Sequence, residues 1–414
     1  MTTPPHILII GAGLAGLSLA QGLKRSGISF RVYERDPSPE FRAQGYRIRI
    51  NHYGATALKK TLTEDMWQLF QKTCADTHLG MTGINAVDGT VTRSVAGTPR
   101  SDPSMMRLQM SIDEPIVGPF TADRKTLRNM LLLGLENDVE FGKKFSRFET
   151  NEMGQVTVIF EDGSQAQGSF LVGADGVRSA VRRQHIPRMK LVDTTCRCIY
   201  GKTPITPELT KSFPAEGLRW ITAVKDSRPL TLFLEPVRFS SNLEEVSAGR
   251  LPIVQDYVYW VLGANQSVFD ISDDELLGMS GREASALSLR LTQGWDEGVR
   301  SLLLNQSQEQ TSAIRLLSTS PIMQVWEATP TVTFLGDAIH PMPPAGGSGA
   351  NTALRDAANL LEAIKDGVTK SRIEEYERTM REYGGEAIAG SWSGGKSLLN
   401  MPSYEECETL VVEF

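Results

Sequence analysis

One strand–turn–helix–strand unit at the start of the chain restricts the fold more than any other feature. An apolar run that ends at a glycine predicts a buried parallel strand, and the helical spacing of apolar residues after the glycines predicts the helix. Such a unit predicts an α/β domain built around a parallel sheet. Its parts are a strand over residues 6–10, glycines at positions 11, 13 and 16, a helix over residues 14–26, and a strand over residues 28–34.

Each glycine of this turn has its own physical role. Gly11 makes the tight turn, Gly13 lets the backbone approach a pyrophosphate, and Gly16 lets helix and strand pack closely. The start of the helix offers unpaired N–H groups and the positive end of its dipole to phosphates. Glu34 ends the second strand and can accept hydrogen bonds from an adenosine ribose. A glycine-rich turn without a ligand is the alternative interpretation. The predicted cofactor contacts of this unit are Gly11, Ala12, Gly13, Leu14, Ala15, Gly16, Glu34 and Arg35.

Two further motifs follow apolar runs in the middle and near the end of the chain. The first run leads into Asp175-Gly176 and a predicted helix. The second run, residues 331–335, leads into Gly336-Asp337, a glycine-rich segment and another predicted helix. Each motif joins a buried strand to a helix through a turn that carries an aspartate.

The three motifs in this order resemble the single-component (group A) flavoprotein monooxygenases, the p-hydroxybenzoate hydroxylase family. The pattern is closest to fungal epoxidases and hydroxylases of natural-product biosynthesis. The resemblance covers nearly the whole chain except residues 190–310, and it implies FAD as cofactor and NAD(P)H as co-substrate. It rests on residues 11–16 with Glu34, Asp175-Gly176 with Arg178 and Arg182, Gly336-Asp337 followed by Pro344, and the helix start Asp123-Arg124-Lys125-Thr126-Leu127.

The family fold implies a role for each motif residue. Asp337 is expected to bind the ribityl chain of FAD, and residues 346–351 to run beside the isoalloxazine ring. Asp175 is expected to help hold the pyrophosphate region and the nicotinamide donor. The implied cofactor contacts outside the first unit are Gly45, Arg124, Asp175, Asp337, Pro344, Gly347, Gly349, Ala350 and Asn351. Two of these roles have alternatives: residues 346–349 could be only a flexible loop, and Arg124 could be a surface residue. His340 is expected to pack within its motif, and the alternative for it is a catalytic base.

Chain length and motif positions together predict two domains. The expected fold is α/β: a discontinuous Rossmann-like FAD-binding domain and an α+β, sheet-rich substrate-binding domain, as in the p-hydroxybenzoate hydroxylase-like fold. The FAD-binding domain is predicted to comprise residues 1–74, 105–189 and 311–414, and the substrate-binding domain residues 75–104 and 190–310.

The resemblance also implies an activity. NAD(P)H would reduce FAD, O2 would add to the reduced flavin as a C4a-hydroperoxide, and a small aromatic or natural-product substrate would be hydroxylated or epoxidised. A second glycine fingerprint is absent from the sequence, which fits transient docking of NAD(P)H. Two alternatives stay open: an FAD-dependent reductase or cyclase on the same fold, and a non-enzymatic flavin- or prenyl-binding protein. Intact Glu34, Asp175 and Asp337 argue against the second.

One cation in a strand-like run is the candidate substrate-side catalytic residue. Arg197 lies in the apolar run over residues 197–201, where burial would require an anionic or acceptor partner. A solvent-facing arginine on an edge strand is the alternative. Cys196 and Cys198 flank it on one face and are expected to be free thiols in a reducing compartment.

The composition argues against several other classes of protein. With 43 Lys and Arg against 49 Asp and Glu, a net charge of −6 gives no basic surface for nucleic acid. The sequence contains no apolar stretch of about 20 residues, the length that a transmembrane helix needs, so no transmembrane segment is expected. Four scattered cysteines and five histidines form neither a disulfide framework nor a metal motif, so no metal is expected. The N-terminus lacks the basic start of a signal peptide, which predicts a cytoplasmic location.

Overall fold

The computed structural model of the protein describes residues 6–41, 45–98 and 117–410. Within these residues the strands are β1 (His6–Ile10), β2 (Ser29–Tyr33), β3 (Arg47–Ile50), β4 (Gly80–Asn85), β5 (Val91–Ala96), β6 (Phe120–Asp123), β7 (Val139–Glu140), β8 (Phe145–Thr150), β9 (Val156–Phe160), β10 (Gln165–Gly168), β11 (Phe170–Gly173), β12 (Val192–Pro204), β13 (Ile221–Lys225), β14 (Leu230–Val237), β15 (Tyr257–Asn265), β16 (Ser312–Ser318) and β17 (Val332–Phe334).

The α-helices of the same residues are α1 (Leu14–Arg25), α2 (His52–Thr61), α3 (Glu64–Thr73), α4 (Arg124–Leu132), α5 (Ala180–His185), α6 (Pro207–Ser212), α7 (Leu243–Val246), α8 (Gln266–Phe269), α9 (Asp273–Gly278), α10 (Gly281–Leu291), α11 (Glu297–Leu304), α12 (Gly349–Ile364) and α13 (Lys370–Leu399). None of these helices combines the length and the apolar character that crossing a bilayer requires.

A five-stranded parallel sheet carries all three sequence motifs. Its strand order is β17-β11-β1-β2-β7, and each neighbouring pair runs parallel. Ile7, Leu8 and Ile9 of β1 are fully buried, as expected of a strand with both faces covered. The predicted strand–helix–strand unit is confirmed as β1, α1 and β2. The three motif strands β1, β11 and β17 are neighbours, so their carboxyl ends meet at one edge of the sheet.

A second, seven-stranded sheet has the order β16-β12-β15-β14-β13-β4-β5. Strands β4 and β5 come from the first predicted segment of the substrate-binding domain, residues 75–104, of which residues 99–104 lie outside the described residues. Strand β16 pairs with β12. The predicted domain boundary after residue 310 therefore cuts this sheet before its last strand, because hydrogen bonding in the sheet continues past it.

The two faces of the seven-stranded sheet have different neighbours. Ile199, Leu232 and Trp260 face one way and form a core with helices on the far side. Cys196 and Cys198 face the other way and join the core of the five-stranded sheet. Because side chains alternate along a strand, the parity of a residue in β12 decides which core it faces.

Two helices differ from their predicted bounds for local reasons. The sequence over residues 56–74 predicts one helix, but the structure has two there, α2 and α3. The Thr63 side chain accepts a hydrogen bond from the Met66 N–H and starts α3. Helical spacing in the sequence predicts a helix over residues 371–384, but α13 continues past Gly384 to Leu399. A Cβ on Gly385 would lie 2.8 Å from the Pro321 carbonyl oxygen, and one on Gly394 would lie 2.8 Å from the Ala345 carbonyl oxygen. These glycines allow close packing and do not end the helix.

Candidate functional site

The first glycine turn has the geometry that its spacing predicts. Gly11 has a φ of 113°, and a Cβ there would lie 2.3 Å from the Ala174 carbonyl oxygen. A Cβ on Gly16 would lie 2.2 Å from the Gly11 carbonyl oxygen. Gly13 differs, since a Cβ there would meet no atom of the described residues within 4 Å. Two of the glycines are therefore needed for packing, and Gly13 borders open space.

The acid at the end of β2 is held against this turn. The Glu34 carboxylate accepts hydrogen bonds from the Ala12 N–H at 2.8 Å and the Asp36 N–H at 3.0 Å. Each carboxylate oxygen keeps a further lone pair, so ribose hydroxyls can still donate to it. Arg35 follows with an exposed side chain, whereas Leu14 and Ala15 are buried in α1.

Asp175 of the second motif lies beside the same turn. A Cβ on Gly11 would lie 3.1 Å from the Asp175 Cα. One carboxylate oxygen, Oδ2, accepts hydrogen bonds from the N–H groups of Ala180 and Val181 at 2.7 and 3.2 Å. The other, Oδ1, is buried and has no hydrogen-bond partner among the described residues. Burial raises the pKa of this carboxyl group. A ligand hydroxyl or water at Oδ1 would satisfy it.

The third motif is held by an aspartate that the sequence analysis did not identify. The buried Asp356 carboxylate accepts hydrogen bonds from the Gly336 N–H at 2.7 Å and the Tyr383 hydroxyl at 2.6 Å, and it contacts His340 Nε2 at 2.6 Å. Burial alone would lower the pKa of His340, but Asp356 raises it. His340 is fully buried and packs within the motif, as expected. Arg182 joins the second and third motifs by donating to the Ala338 carbonyl oxygen at 2.6 Å.

Asp337 itself points away from these internal contacts. Its side chain is exposed, and among the described residues it has no hydrogen-bond partner. A Cβ on Gly349 would lie 4.0 Å from Asp337 Oδ1, which places the carboxylate at the start of α12. Protein atoms around the carboxyl group keep water away from it, and this desolvation raises the pKa of Asp337. The positive charges of His340 and Arg124 act in the opposite direction.

Asn351 has a structural side chain. Its Nδ2 donates to the carbonyl oxygens of Arg49 and Gly347 at 2.8 and 3.0 Å, and its Oδ1 accepts from the Asn51 N–H at 2.8 Å. The side chain therefore braces the glycine-rich loop. Only the backbone N–H of Asn351, with those of Gly349 and Ala350, remains for a ligand, while Pro344 and Gly347 are exposed on the loop.

Two of the thirteen described α-helices lack a side-chain cap at their N-terminus. They are α1, which follows Gly13, and α12, which follows Ser348. In each of the other eleven a side chain accepts a hydrogen bond from the first turn. Uncapped N–H groups with a positive dipole end are suited to an anionic ligand. With the open space at Gly13 and the unpartnered Asp175 Oδ1, the residues present fit FAD.

A cluster of tyrosines joins the chain before β3 to the seven-stranded sheet, because Tyr46 packs against Tyr200 of β12 and Tyr259 of β15. The Tyr46 ring is 5.4 Å from that of Tyr200 and 6.2 Å from that of Tyr259, measured between centroids. The Arg124 guanidinium lies 5.4 Å from the Tyr46 centroid. A Cβ on Gly45 would lie 2.9 Å from the Lys125 Cβ, so the chain before Tyr46 passes close to α4. Arg124 therefore interacts electrostatically with Asp337 and also lies over the ring of Tyr46, which packs against the second sheet.

Arg197 does not lie on that face, and the substrate-side position predicted for it is not supported. It is fully buried, and β12 lies between β15 and β16, so it is not on an edge strand either. Its Nε and Nη2 donate to Asp273 at 2.6 and 2.7 Å, and its Nη1 and Nη2 donate to Asp193 at 2.8 Å each. The predicted anionic partner is thus supplied by the protein, and Arg197 faces the same way as Ile199.

A second arginine missed by the sequence analysis supports the first motif. Arg128 lies one helical turn after Arg124 in α4, and its Nε donates to the Ala12 carbonyl oxygen at 2.9 Å. The i, i+4 spacing of the two arginines placed both on one helix face, which was the available signal. Asp356 gave no comparable signal, because only the fold brings it to Gly336.

The two sheets, the motif edge and the two uncapped helices define an FAD-binding flavoprotein with the p-hydroxybenzoate hydroxylase-like fold. A family model described as "FAD binding domain" matches residues 5–200 and 297–390, and the chain belongs to this family. The crystal structure of a Photorhabdus luminescens protein, provisionally described as an FAD-containing monooxygenase, superimposes with a TM-score of 0.77 at 28% identity. The superposition covers 95% of this chain and 98% of that one.

Two fungal relatives match almost the whole chain. The dual O-methyltransferase/FAD-dependent monooxygenase CTB3 of Cercospora beticola is 38% identical over 98% of this chain, but only 47% of that protein is covered. The FAD-dependent monooxygenase phnB of Penicillium herquei is 29% identical over 98% of this chain and 94% of its own length. The chain thus spans about half the length of the first relative and nearly all of the second.

Proposed function

We propose that the chain is an FAD-dependent monooxygenase that uses NAD(P)H and O2 to hydroxylate or epoxidise a small aromatic or natural-product substrate. The observation that carries the proposal is the pair of uncapped helices, α1 and α12, which begin at the edge where the three motif strands end. The monooxygenase names of the relatives support the choice of reaction. A reductase or cyclase on the same fold is the second candidate, since the cofactor site alone does not distinguish them.

Each motif would bind a separate part of the cofactor. Glu34 would hold the adenosine ribose, the start of α1 the pyrophosphate, and Asp337 the ribityl hydroxyls. The N–H groups at the start of α12 would lie at the electron-rich edge of the flavin ring and stabilise negative charge there. FAD, once reduced by NAD(P)H, supplies the activation of O2.

We also propose that one part of the chain binds FAD and the other binds the substrate. Residues 1–74, 105–189 and most of 311–414 would bind FAD. Residues 75–104 and 190–310 would bind the substrate, together with β16. The tyrosine cluster at the boundary supports this division, since aromatic rings offer stacking surfaces for an aromatic substrate and exclude water from the flavin edge.

The purified protein is expected to be yellow and to release FAD, and not FMN, on denaturation. The reason is that Glu34 and the open space at Gly13 are arranged for an adenosine ribose and a pyrophosphate, which FMN lacks. The released flavin is identified by chromatography. A protein that releases FMN, or that stays colourless after incubation with FAD, contradicts the cofactor assignment.

Asp337→Ala is expected to weaken FAD binding about tenfold or more. A hydrogen bond from a ribityl hydroxyl to a carboxylate contributes about 1.5–3 kcal/mol, and about 1.4 kcal/mol corresponds to a factor of ten in affinity. The measurement is titration of the apoprotein with FAD by flavin fluorescence. Asp162→Ala, at an exposed turn, is the matched control and should bind FAD normally. Equal affinities of the two variants would place Asp337 away from the cofactor.

Incorporation of labelled oxygen tests the reaction itself. Candidate aromatic substrates are screened for accelerated NAD(P)H oxidation, and the product is analysed by mass spectrometry after reaction in labelled O2 or in labelled water. A monooxygenase transfers the label from O2 to the product. A reductase or cyclase oxidises NAD(P)H or converts the substrate with no label from O2, which would replace the proposed reaction.

A further inference from the structure

One aspartate of α12 connects two of the proposed FAD contacts. Asp356 lies about two turns after the uncapped start of this helix, and its Oδ2 accepts a hydrogen bond from the Gly336 N–H at 2.7 Å. Gly336 directly precedes Asp337, so a single carboxylate joins the helix start to the turn that carries Asp337. Gly336 has a φ of 61°, and a Cβ there would lie 3.1 Å from the Ala353 Cβ, so the turn packs tightly against α12.

His340 forms a buried pair with the same aspartate. Its Nε2 lies 2.6 Å from Asp356 Oδ2, and both side chains are fully buried. Burial acts to lower the pKa of His340, but the Asp356 carboxylate raises it above its ordinary value. The other ring nitrogen, Nδ1, is buried without a hydrogen-bond partner among the described residues. Because an unpaired polar atom in the interior costs stability, packing alone does not explain a histidine at this position.

The charge of His340 acts on the carboxyl group of Asp337. Desolvation raises the pKa of Asp337, and of the cations that lower it again, protonated His340 has the largest effect. Arg124 and Arg182 act in the same direction but more weakly, and Asp356 raises the pKa of Asp337 by less than His340 lowers it. In return, the charge of Asp337 raises the pKa of His340. The protonated histidine is therefore attracted by two carboxylates.

Helix α13 brings neutral groups against this pair. A Cβ on Gly384 would lie 3.3 Å from His340 Cδ2 and 3.2 Å from the Met323 sulfur. The Tyr383 hydroxyl donates to Asp356 Oδ1 at 2.6 Å, and burial followed by the charge of Asp356 raises the pKa of this tyrosine well above its ordinary value. Tyr383 therefore stays neutral in the pH range in which a histidine titrates.

FAD bound at this edge of the sheet would complete the desolvation of Asp337. Protein atoms already exclude part of the water around the carboxyl group, but the side chain is still exposed on one side. A ribityl chain lying there would exclude the remaining water, and a buried carboxylate is stable only when it is hydrogen-bonded and paired with a positive charge. Ribityl hydroxyls are neutral, so the positive charge has to come from the protein.

We infer that Asp356 and His340 are positioning residues of the cofactor site, in which Asp356 fixes the turn and the histidine, and protonated His340 is the counter-ion of Asp337 beneath bound FAD. The inference rests on the proposed function, since it takes Asp337 as the ribityl contact. It follows that FAD and a proton bind together, and each raises the affinity for the other. FAD affinity should therefore fall as the pH rises through the pKa of His340, which lies above its ordinary value.

The wild-type protein tests this coupling without any substitution. The apoprotein is titrated with FAD by flavin fluorescence at several pH values from about 6 to about 9, the range that includes the titration of a histidine with a raised pKa. Affinity is expected to fall about tenfold or more across this range. The reason is that a rise of one unit in the pKa of His340 on FAD binding corresponds to a factor of ten in affinity.

Two variants assign the proton to His340. In His340→Gln the amide can still donate to Asp356 but carries no charge, so FAD affinity should be low at every pH in the range and should no longer vary with pH. Asp356→Asn keeps an acceptor for the Gly336 N–H but removes the charge that favours protonated His340, so the fall in affinity should move to lower pH. A merely loosened turn would lower the affinity at every pH and leave the position of the fall unchanged.

His185→Gln is the matched control. His185 is another half-buried histidine of the FAD-binding part, in α5, and burial lowers its pKa. Its charge is therefore lost below the pH range in which the affinity is expected to change. This variant should reproduce the wild-type profile.

Three outcomes overturn the inference: a wild-type affinity that stays constant or rises with pH, a wild-type profile in His340→Gln, and an unshifted profile in Asp356→Asn. Asp337→Ala separates these outcomes from failure of the proposed cofactor site. If Asp337→Ala binds FAD as the wild type does, the ribityl contact and the inference fail together. If Asp337→Ala weakens FAD binding but either of the other two variants keeps the wild-type profile, only the inference fails. FAD binding requires no turnover, so the oxygen-labelling result tests the reaction separately.

Discussion

Gly11→Ala is expected to prevent FAD binding and to lower the stability of the fold. At a φ of 113°, alanine is strained by about 1–3 kcal/mol. Its Cβ would also lie 2.3 Å from the Ala174 carbonyl oxygen, a backbone atom fixed by the Ala174 N–H bond to Ile10 at 2.8 Å. Relieving this overlap requires β1 and β11 to separate at the edge where the motifs meet, which adds about 1–3 kcal/mol. Thermal unfolding and FAD content measure the two effects.

Gly13→Ala is the matched control, because it adds the same methyl group two residues later. Within the described part of the chain no atom lies within 4 Å of that Cβ, and the backbone there is extended with a φ of −79°, which alanine adopts easily. The apoprotein should lose at most about 1 kcal/mol of stability. FAD binding should nevertheless fall, because the methyl group occupies the approach of the pyrophosphate. Normal FAD binding by both variants would show that the turn does not face the cofactor.

The parts of the fold that sequence could predict are those set by local pattern. The fingerprint at residues 11–16, the aspartates of the second and third motifs and the Asp123 cap of α4 all depend on residues close in the chain. The structure places them as expected on one sheet edge or at a helix start. Hydrophobic periodicity and capping act over one or two turns, so they can be inferred without knowledge of the fold.

The parts that sequence could not predict depend on contacts between distant segments. Asp356 reaches Gly336, and Asn351 reaches Asn51, only because α12 packs against the motif edge. Asn351 was expected to serve the cofactor, but its amide is used by the protein. The end of the second sheet was missed because pairing of β16 with β12 joins segments more than a hundred residues apart.

The sequence also could not predict on which face of the second sheet the Arg197 side chain lies, because that depends on strand pairing. The register of β12 against β16 shifts between Asp193 and Arg197, and Thr195 within this bulge has a φ of 59°. A bulge changes which face the following residues present, and it brings Asp193 back beneath the guanidinium. A count of alternating residues cannot include such a shift. The bulge therefore brings Asp193 against Arg197 and gives this arginine a structural role.

Arg197→Ala is accordingly expected to destabilise the protein without removing its FAD-binding capacity. Without the guanidinium, Asp193 and Asp273 keep one cationic partner among the described residues, Arg315, which contacts both carboxylates. Breaking a buried pair in this way costs about 3–5 kcal/mol. Burial opposes ionisation of Asp193, but Arg197 and Arg315 lower its pKa overall, so the stabilisation is present at neutral pH and is lost as the pH falls through that pKa.

The measurement is urea unfolding of Arg197→Ala and the wild type at neutral and at acidic pH. The difference in unfolding free energy should shrink at acidic pH, because protonated Asp193 no longer needs the arginine. Arg228→Ala is the matched control: it also removes an arginine paired with an aspartate, but its side chain is 46% exposed, so it should change stability by no more than about 1 kcal/mol. FAD bound per folded Arg197→Ala molecule should match the wild type, since Arg197 lies on the face of β12 away from Gly45 and Tyr46. A variant with normal stability and lost substrate binding would return Arg197 to the substrate side.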